Sequence, residues 1–505
     1  LRLVGSEMCI RDRDNSKAGL YIFGQNRERS GYDSDGDGFT ELPKLKNQTV
    51  GFRSFLKTSA YSKLTFEYHH LQEFRRGGDL LNRPPHEANI AEQLRHSINS
   101  GGLKFDYFSP DEKHRLSVYA SAQHIGRDSY YGGNQDLNAY GATKDFTWVA
   151  GSQYIYHFDR CLFMPSDLTG GVEYNQDNLK DDMWGYNRYT NQKVRIAGAF
   201  FQNEWRNRQW SILLGGRLDK HNLINHVIFS PRANIRFNPV ENVNLRASYS
   251  VGFRAPQAFD EDLHIENVGG TISMIELADN LKEEKSQSFS VSADVYHRWG
   301  AFQGNFLLEG FYTNLSDVFA LREIGVRDGT IINERYNEKG AKVYGLTLEG
   351  KIAYLSLLQL QAGITLQKAD YKNARTWSDD ETVPMEKRIF RTPDTYGYFT
   401  LTYNPLKSLL VALSGTYTGS MLVEHKAGYI EKDIAVNTPD FWELNLKVGY
   451  DFTVYKNIGI QLNAGVRNIF NAYQKDFDRG GKRDSGYIYG PGMPRSYFAG
   501  VKISY

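Results

Sequence analysis

The chain lacks several features that would settle its class quickly. It has two cysteines in 505 residues, Cys9 and Cys161, which excludes a disulfide framework and any cysteine-based metal spacing. Net charge is +1, from 60 Lys+Arg against 59 Asp+Glu, so no overall field draws the chain to nucleic acid or to an anionic surface. No apolar run of about 18 residues occurs, which excludes a spanning helix. A spanning strand is untouched by that absence, because it crosses with about 10 residues of alternating polarity. The G-x-S-x-G elbow, the Walker loop and the H-E-x-x-H zinc motif are missing. The acidic pairs Asp181–Asp182 and Asp379–Asp380 lie in charged stretches, and no enzyme is expected. The opening LRLVGSEMCIRDR has neither an initiating methionine nor the apolar core of a signal peptide. Residues 1–13 are expected to be adapter-derived, and 14–505 to be the folded unit.

What is present is aromatic and two-faced. Aromatics reach 14%, with 33 Tyr against 29 Phe, beside 47 Gly, a mixture that favours an all-β protein. In FWELNLKVGYDF, Trp442, Leu444, Leu446, Val448 and Tyr450 share one face, and Glu443, Asn445, Lys447 and Asp451 the other. LQLQAGITLQ divides in the same way, as do the stretches 243–253, 458–468 and 497–505. This period of two predicts strands with one greasy side and one wet side.

A soluble sandwich would alternate too, so connection lengths decide. Short turns at 237–242, 298–300, 355–357, 404–408 and 453–456 alternate with long segments at 254–285, 315–341, 372–390, 422–439 and 471–493. That is the layout of a large antiparallel up-and-down transmembrane β-barrel with tight periplasmic turns and long outward loops. The count comes to roughly 20 strands at about 25 residues per strand and connection. Tyr68, Tyr119, Trp148, Tyr249, Tyr450 and Tyr497 are expected in the interfacial girdles, and the chain closes on Tyr505. In the pair His69–His70, one ring is expected to face lipid and the other the lumen.

At SVGFRAPQAFDEDLH (250–264) the residues Phe253, Arg254, Ala255 and Pro256 resemble the FRAP-type motif of TonB-dependent outer-membrane receptors. NLKEEKSQSFSVSADV (280–295) resembles that family's NL-x-x-E-x-S segment, and VRNIFNAY…GPGMPRSYFAGVKISY (466–505) its closing hairpin. The resemblance covers 14–505. It implies a 22-stranded barrel, of which about 20 strands would be present here, an N-terminal plug and TonB box expected to lie upstream, and an integral place in the outer membrane of a Gram-negative bacterium. It further implies high-affinity import of a metal chelate, with the TonB complex, the barrel assembly machinery and the lipid bilayer with its lipopolysaccharide as partners, and no nucleic acid. A ferric siderophore is the first expectation, then cobalamin, then haem, then a saccharide or peptide. A passive porin is the competing class, and a soluble adhesin or propeller the other.

Three clusters carry the candidate chemistry. In GYDSDGDGFTEL, Asp33, Asp35 and Asp37 fill the first half of an EF-hand pattern, but position 12 is Lys44 where a bidentate Glu is needed. The spacing leaves a calcium loop and a solvated turn both open. No cofactor is required. The D-x-D-G-F run resembles a loop of the cobalamin receptor, which would draw further carboxylates from Asp79, Glu87 or Glu92. Arg75, Arg76, Arg83 and Arg95, with Tyr130, Tyr131, Trp184, Tyr186, Tyr189 and Trp377, offer charge and stacking for an anionic aromatic chelate. His264 lies where haem receptors carry a histidine, and neutral imidazole is a sound iron ligand.

Overall fold

The computed structural model describes residues 17–257, 273–327, 330–455 and 457–505. Among them there is no α-helix, and the main sheet has 21 strands. Glu386–Arg388 is a short piece attached to Leu358–Arg375. The remaining twenty form the wall, each antiparallel to the next, from Ala18–Arg29 on Thr40–Ser59 to Ile458–Arg467 on Ser496–Ser504.

The periodicity works as the polarity requires. Leu20, Ile22, Val50, Leu103, Val172, Phe201, Val291, Leu346 and Val501 all point away from the lumen and are exposed. Their in-strand neighbours, such as Arg53, Tyr119, Glu173 and Arg217, point inward. Apolar area turned outward on this scale is unstable in water and stable only against hydrocarbon. Cross-strand aromatic pairs mark the edges of this belt: Trp148 with Tyr174 at 5.1 Å, Tyr249 with Phe289 at 4.7 Å and Tyr417 with Trp442 at 4.7 Å. Tyr119 departs from expectation. Its parity turns it to the lumen, where its hydroxyl donates to Glu173, which also accepts from Arg217. The histidine pair divides as expected, since His69 packs at a tilt against inward Phe23 at 5.3 Å and His70 meets outward Asn99 at 2.9 Å.

Connections alternate throughout. At one end the turns are tight, as between Ser59 and Ser62, Cys161 and Met164, or Trp299 and Phe302. At the other end, the segments 30–39, 79–89, 134–139, 184–187, 222–227, 376–394 and 468–495 join the strands, and three further long segments carry two small sheets of their own. One of these is Ser273–Leu277 beside Thr330–Glu338 and Val318–Arg327. The other is Leu422–His425 with Ile434–Asn437. Wall height is uneven. Strands from Thr40–Ser59 to Arg188–Arg206 run 17 to 22 residues, about twice what a tilted crossing needs. The early wall therefore stands well clear of the belt at the long-loop end.

The four compact apolar clusters among the described residues lie at that same end. One gathers Ala88, Ala91, Tyr130 and Ala139, and another Val423, Phe441, Tyr487 and Tyr489. Gly78 starts the second long connection at φ +96°, where a Cβ would lie 2.0 Å from the Ile90 carbonyl oxygen. Only glycine allows the chain to turn there. Between Ala18–Arg29 and Ser496–Ser504 no ladder forms among the described residues, so this seam is held by the loops above it.

Candidate ligand-binding mouth

The acidic loop sits at the top of the seam. Its three aspartates present carboxylate oxygens within 4.8 Å of one another, because Asx-type bonds wrap the chain around them. Asp33 accepts from the Gly36 and Gly38 N–H groups at 2.7 and 2.8 Å, and Asp37 from Phe39 N–H at 2.9 Å. Gly36 and Gly38 supply the positive φ, +75° and +92°, that this winding demands.

What comes to meet these carboxylates is the last long loop rather than the second. Gly480 N–H donates to Asp37 at 2.7 Å, and the Arg483 guanidinium joins Asp37 and, at 3.0 Å, Glu41. Arg479 lies 3.3 Å from Asp35, and Arg483 also covers the Phe39 ring at 4.9 Å. Burial raises the Asp37 carboxyl pKa, but the Gly480 and Phe39 N–H groups and the Arg483 charge outweigh it and hold the group below the usual range. The expected helpers are elsewhere. Asp79 is spent on Asn89 at 2.6 Å and Ile90 N–H at 3.0 Å, closing its own loop. Glu87 belongs to a 3-10 turn at Pro85–Glu87. Glu92 reaches a cavity of about 230 Å³ between the first, second and last loops, shared with Arg75 and Arg483.

A cationic group faces the lumen just inside this clasp. Leu45 pairs with Arg29 on one side and Arg75 on the other, which places both arginines on the inner face at one level. Arg27 sits two residues below on that face, and both Arg27 and Arg75 lie within electrostatic range of Arg29. Arg29 donates to the Pro43 carbonyl at 3.0 Å, and Arg75 pairs with Glu73 at 2.6 Å while staying half exposed. Arg27 and Arg29 are not among the candidates above, although the alternation in NRER (26–29) is the signal that marks them.

Several predicted ligand contacts are buried within the outer loops. Arg76 is 1% exposed and donates to the Asp79 and Gly77 carbonyls within its own loop. Tyr130 and Tyr131 are 1% and 3% exposed. Tyr130 donates to the Asp136 carbonyl at 2.9 Å, and Tyr186 to the Asp136 carboxylate at 2.7 Å. Burial and that carboxylate raise the Tyr186 phenol pKa far above its ordinary value. These rings pin three loops together, because a large aromatic near a small-residue pocket is worth more buried than wet. Arg83, Trp184 and Tyr189 remain exposed at the rim. Arg95 and Tyr189 point outward by strand parity, away from the mouth.

The FRAP-type residues close the strand Val243–Arg254. Phe253 and the buried Ala255 pack on Ile224 and Ile228, Pro256 is buried, and Arg254 lies 3.9 Å from Glu284, the first residue of Glu284–Trp299. The motif thus fixes where two neighbouring strands leave the wall. His264 falls outside the described residues.

The profile of the family described as TonB dependent receptor-like, beta-barrel matches residues 11–469. No curated protein matches the sequence. Among solved structures, the siderophore receptor PirA of Acinetobacter baumannii superposes with a TM-score of 0.73 at 15% identity, over 98% of this chain and 76% of that one. The ferric enterobactin receptor PfeA of Pseudomonas aeruginosa gives 0.73 at 15% identity, over 97% and 75%. The ferric-catecholate import receptor Fiu of E. coli K12 gives 0.69 at 14% identity, over 97% and 78%. At these identities the likeness is one of fold.

Proposed function

Because this chain belongs to the TonB-dependent receptor β-barrel family, a family of outer-membrane receptors, we propose that it forms the barrel of a transporter for an anionic metal chelate, first of all a ferric siderophore. The observation that carries this reading is the inward group Arg27, Arg29 and Arg75 at the mouth. Three guanidiniums on one concave face suit a chelate whose donor oxygens are charged, through charge-assisted and bidentate bonds. The wall supplies this positive mouth, and the energy for passage comes through TonB. His96 faces Glu73, the partner of Arg75, on the same inner face, so the mouth offers charge with an imidazole beside it.

The test is equilibrium binding of ferric enterobactin, cobalamin and haemin to cells displaying the protein, read against the variant R27Q/R29Q/R75Q. Ferric enterobactin is expected to bind, and the variant to lose about tenfold or more, since each charge-assisted bond contributes about 1.5–3 kcal/mol before screening. Equal binding by variant and parent would overturn the reading. Small-solute leakage through liposomes with no saturable ligand would favour the passive porin.

A second reading concerns calcium. The converging aspartates, with an Asp35 oxygen that has no hydrogen-bond partner, would take a hard cation only by displacing Arg479 and Arg483. Calcium and the two arginines therefore compete. R479Q/R483Q is expected to bind Ca²⁺ more tightly than the parent by calorimetry, and unchanged affinity would remove the site.

A further inference from the structure

Two neighbouring strands of the wall, Ile228–Phe237 and Val243–Arg254, contain no acidic residue. They hold four arginines, Arg232, Arg236, Arg246 and Arg254, and strand parity puts all of them on the lumen face, since Ile235 and Leu245 point outward and are exposed. Arg236 stands directly opposite Arg246 beside the tight turn, and Arg232 stands opposite Ser250, four residues higher. Arg254 is a further four residues up, at the rim. The arginines thus occupy three levels of one wall, about 14 Å apart along strands of about 3.4 Å rise per residue.

Such a column is costly to keep. Like charges facing each other across a ladder are destabilising. Elsewhere on the inner face cations meet acids, as Arg53 does Glu67 at 3.9 Å, Lys104 Asp106 at 2.8 Å and Arg217 Asp219 at 2.8 Å. Among the described residues Arg232, Arg236 and Arg246 have no carboxylate within ion-pair range, whereas Arg254 lies 3.9 Å from Glu284. The Arg236 Nε–H is buried without a hydrogen-bond partner, and Arg246 Nε donates to the neutral Asn244 amide oxygen at 2.8 Å. Asp294, on the next strand, accepts instead from Tyr296 at 2.8 Å and from Asn305. That next strand, Glu284–Trp299, runs a row of hydroxyls beside the arginines. Ser288 faces Ser250, Ser292 faces Arg246, and Ser290 lies 2.7 Å from Ser248.

We propose that these arginines, with the serine row beside them, form the track along which an anionic chelate crosses the lumen. Spaced guanidiniums give an anion several weak sites rather than one deep one, so that it can enter and also leave. Each fork presents paired N–H donors to catecholate or carboxylate oxygens, and the hydroxyls hydrogen-bond the ligand between levels without holding it by charge. This track presupposes the transport reading above: the mouth arginines capture, and the lumen arginines conduct.

Cells expressing the protein with a TonB complex separate the two steps, through binding of radio-iron-labelled ferric enterobactin to energy-poisoned cells and its uptake by energised ones. R232Q/R236Q/R246Q is expected to bind like the parent and to take up iron at least about tenfold more slowly, while heat-modifiability holds. R232K/R236K/R246K keeps the charge and is expected to stay within about threefold of the parent. Unchanged uptake by the glutamine variant overturns the proposal, as does a lysine variant as slow as the glutamine one. Loss of binding in step with uptake also overturns it, since the arginines would then act on the mouth or on the fold. New sensitivity of the glutamine variant to vancomycin would assign the arginines to holding a blocking segment in the lumen, and overturns the track. Absence of ferric enterobactin binding by the parent would bring down the transport reading first, and this proposal with it.

Discussion

At mid-wall, Val291, Leu346 and Val501 are 65%, 55% and 64% exposed, whereas in the outer loops Tyr130, Ala139 and Val423 are 1%, 0% and 0% exposed. The same residue types do opposite things a few nanometres apart. In the wall, backbone groups are satisfied by the ladder and the apolar face is left for lipid, so no side-chain core is needed. In the loops there is no lipid and little ladder, and order comes from packed rings, buried ion pairs and turns. The chain therefore contains two kinds of stability, and substitutions of similar size should separate them.

Tyr130→Ala should have the largest effect. Removing a fully buried aromatic costs about 3–5 kcal/mol, and here the loss falls on the cap formed by the second, third and fourth long loops. Hydrogen exchange is expected to rise across 79–89, 134–139 and 184–187 while the wall stays protected. Tyr130→Phe gives up only the bond to the Asp136 carbonyl, about 1 kcal/mol. If the wall loses protection together with the loops, the two regions are one cooperative unit and the contrast fails.

The wall has its own test. Val291→Arg places a charge on the lipid face and should cost about 2–4 kcal/mol in bilayers, falling toward the interfaces. Val291→Ala should cost well under the value for a buried valine, because acyl chains fill the space that a protein core would leave empty. Reversible urea unfolding in lipid vesicles measures both. An alanine penalty as large as that of a core valine would mean that the face packs against protein.

How much of this was legible beforehand follows the same division. The wall was readable residue by residue: Trp442 to Tyr450 and Leu358 to Leu366 lie outward as alternation predicted, because a period of two is imposed by covalent geometry. Tyr119 was misplaced because aromatic type does not report parity, and its in-strand neighbours Val118 and Ala120 did. In the loops, the reach of Arg479 and Arg483 across more than 440 positions to Asp35 and Asp37 could not be read, since nothing local encodes it. Residue type alone makes Tyr130 and Arg76 candidate ligand contacts, whereas their burial depends on which loops meet.

The clasp tests the boundary between the two regimes, since it joins wall ends that share no ladder. Arg483→Gln removes the charged bonds to Asp37 and Glu41, and at about 1.5–3 kcal/mol it should open the rim without unfolding the wall. Double electron–electron resonance between nitroxides at Ser30 and Lys482 would read a broader, longer distance distribution. An unchanged distribution would mean that Gly480 and the Tyr32–Tyr473 ring contact at 6.4 Å suffice.

Acid should produce the smallest and most specific change at the same place. The folded Asp37 carboxyl titrates below its unfolded value, where Gly480 N–H and Arg483 favour the ionised form over the opposing pull of burial. A group shifted this way contributes its full stabilisation above the unfolded pKa of about 3.9 and loses it as pH falls through the lower folded value. The Ser30–Lys482 distance should therefore be flat from pH 8 to pH 5 and lengthen only below about 3.9. Asp37→Asn should remove that acid step, while the variants at Tyr130 and Val291 keep it. A transition between pH 5 and 7 would take control of the rim away from Asp37.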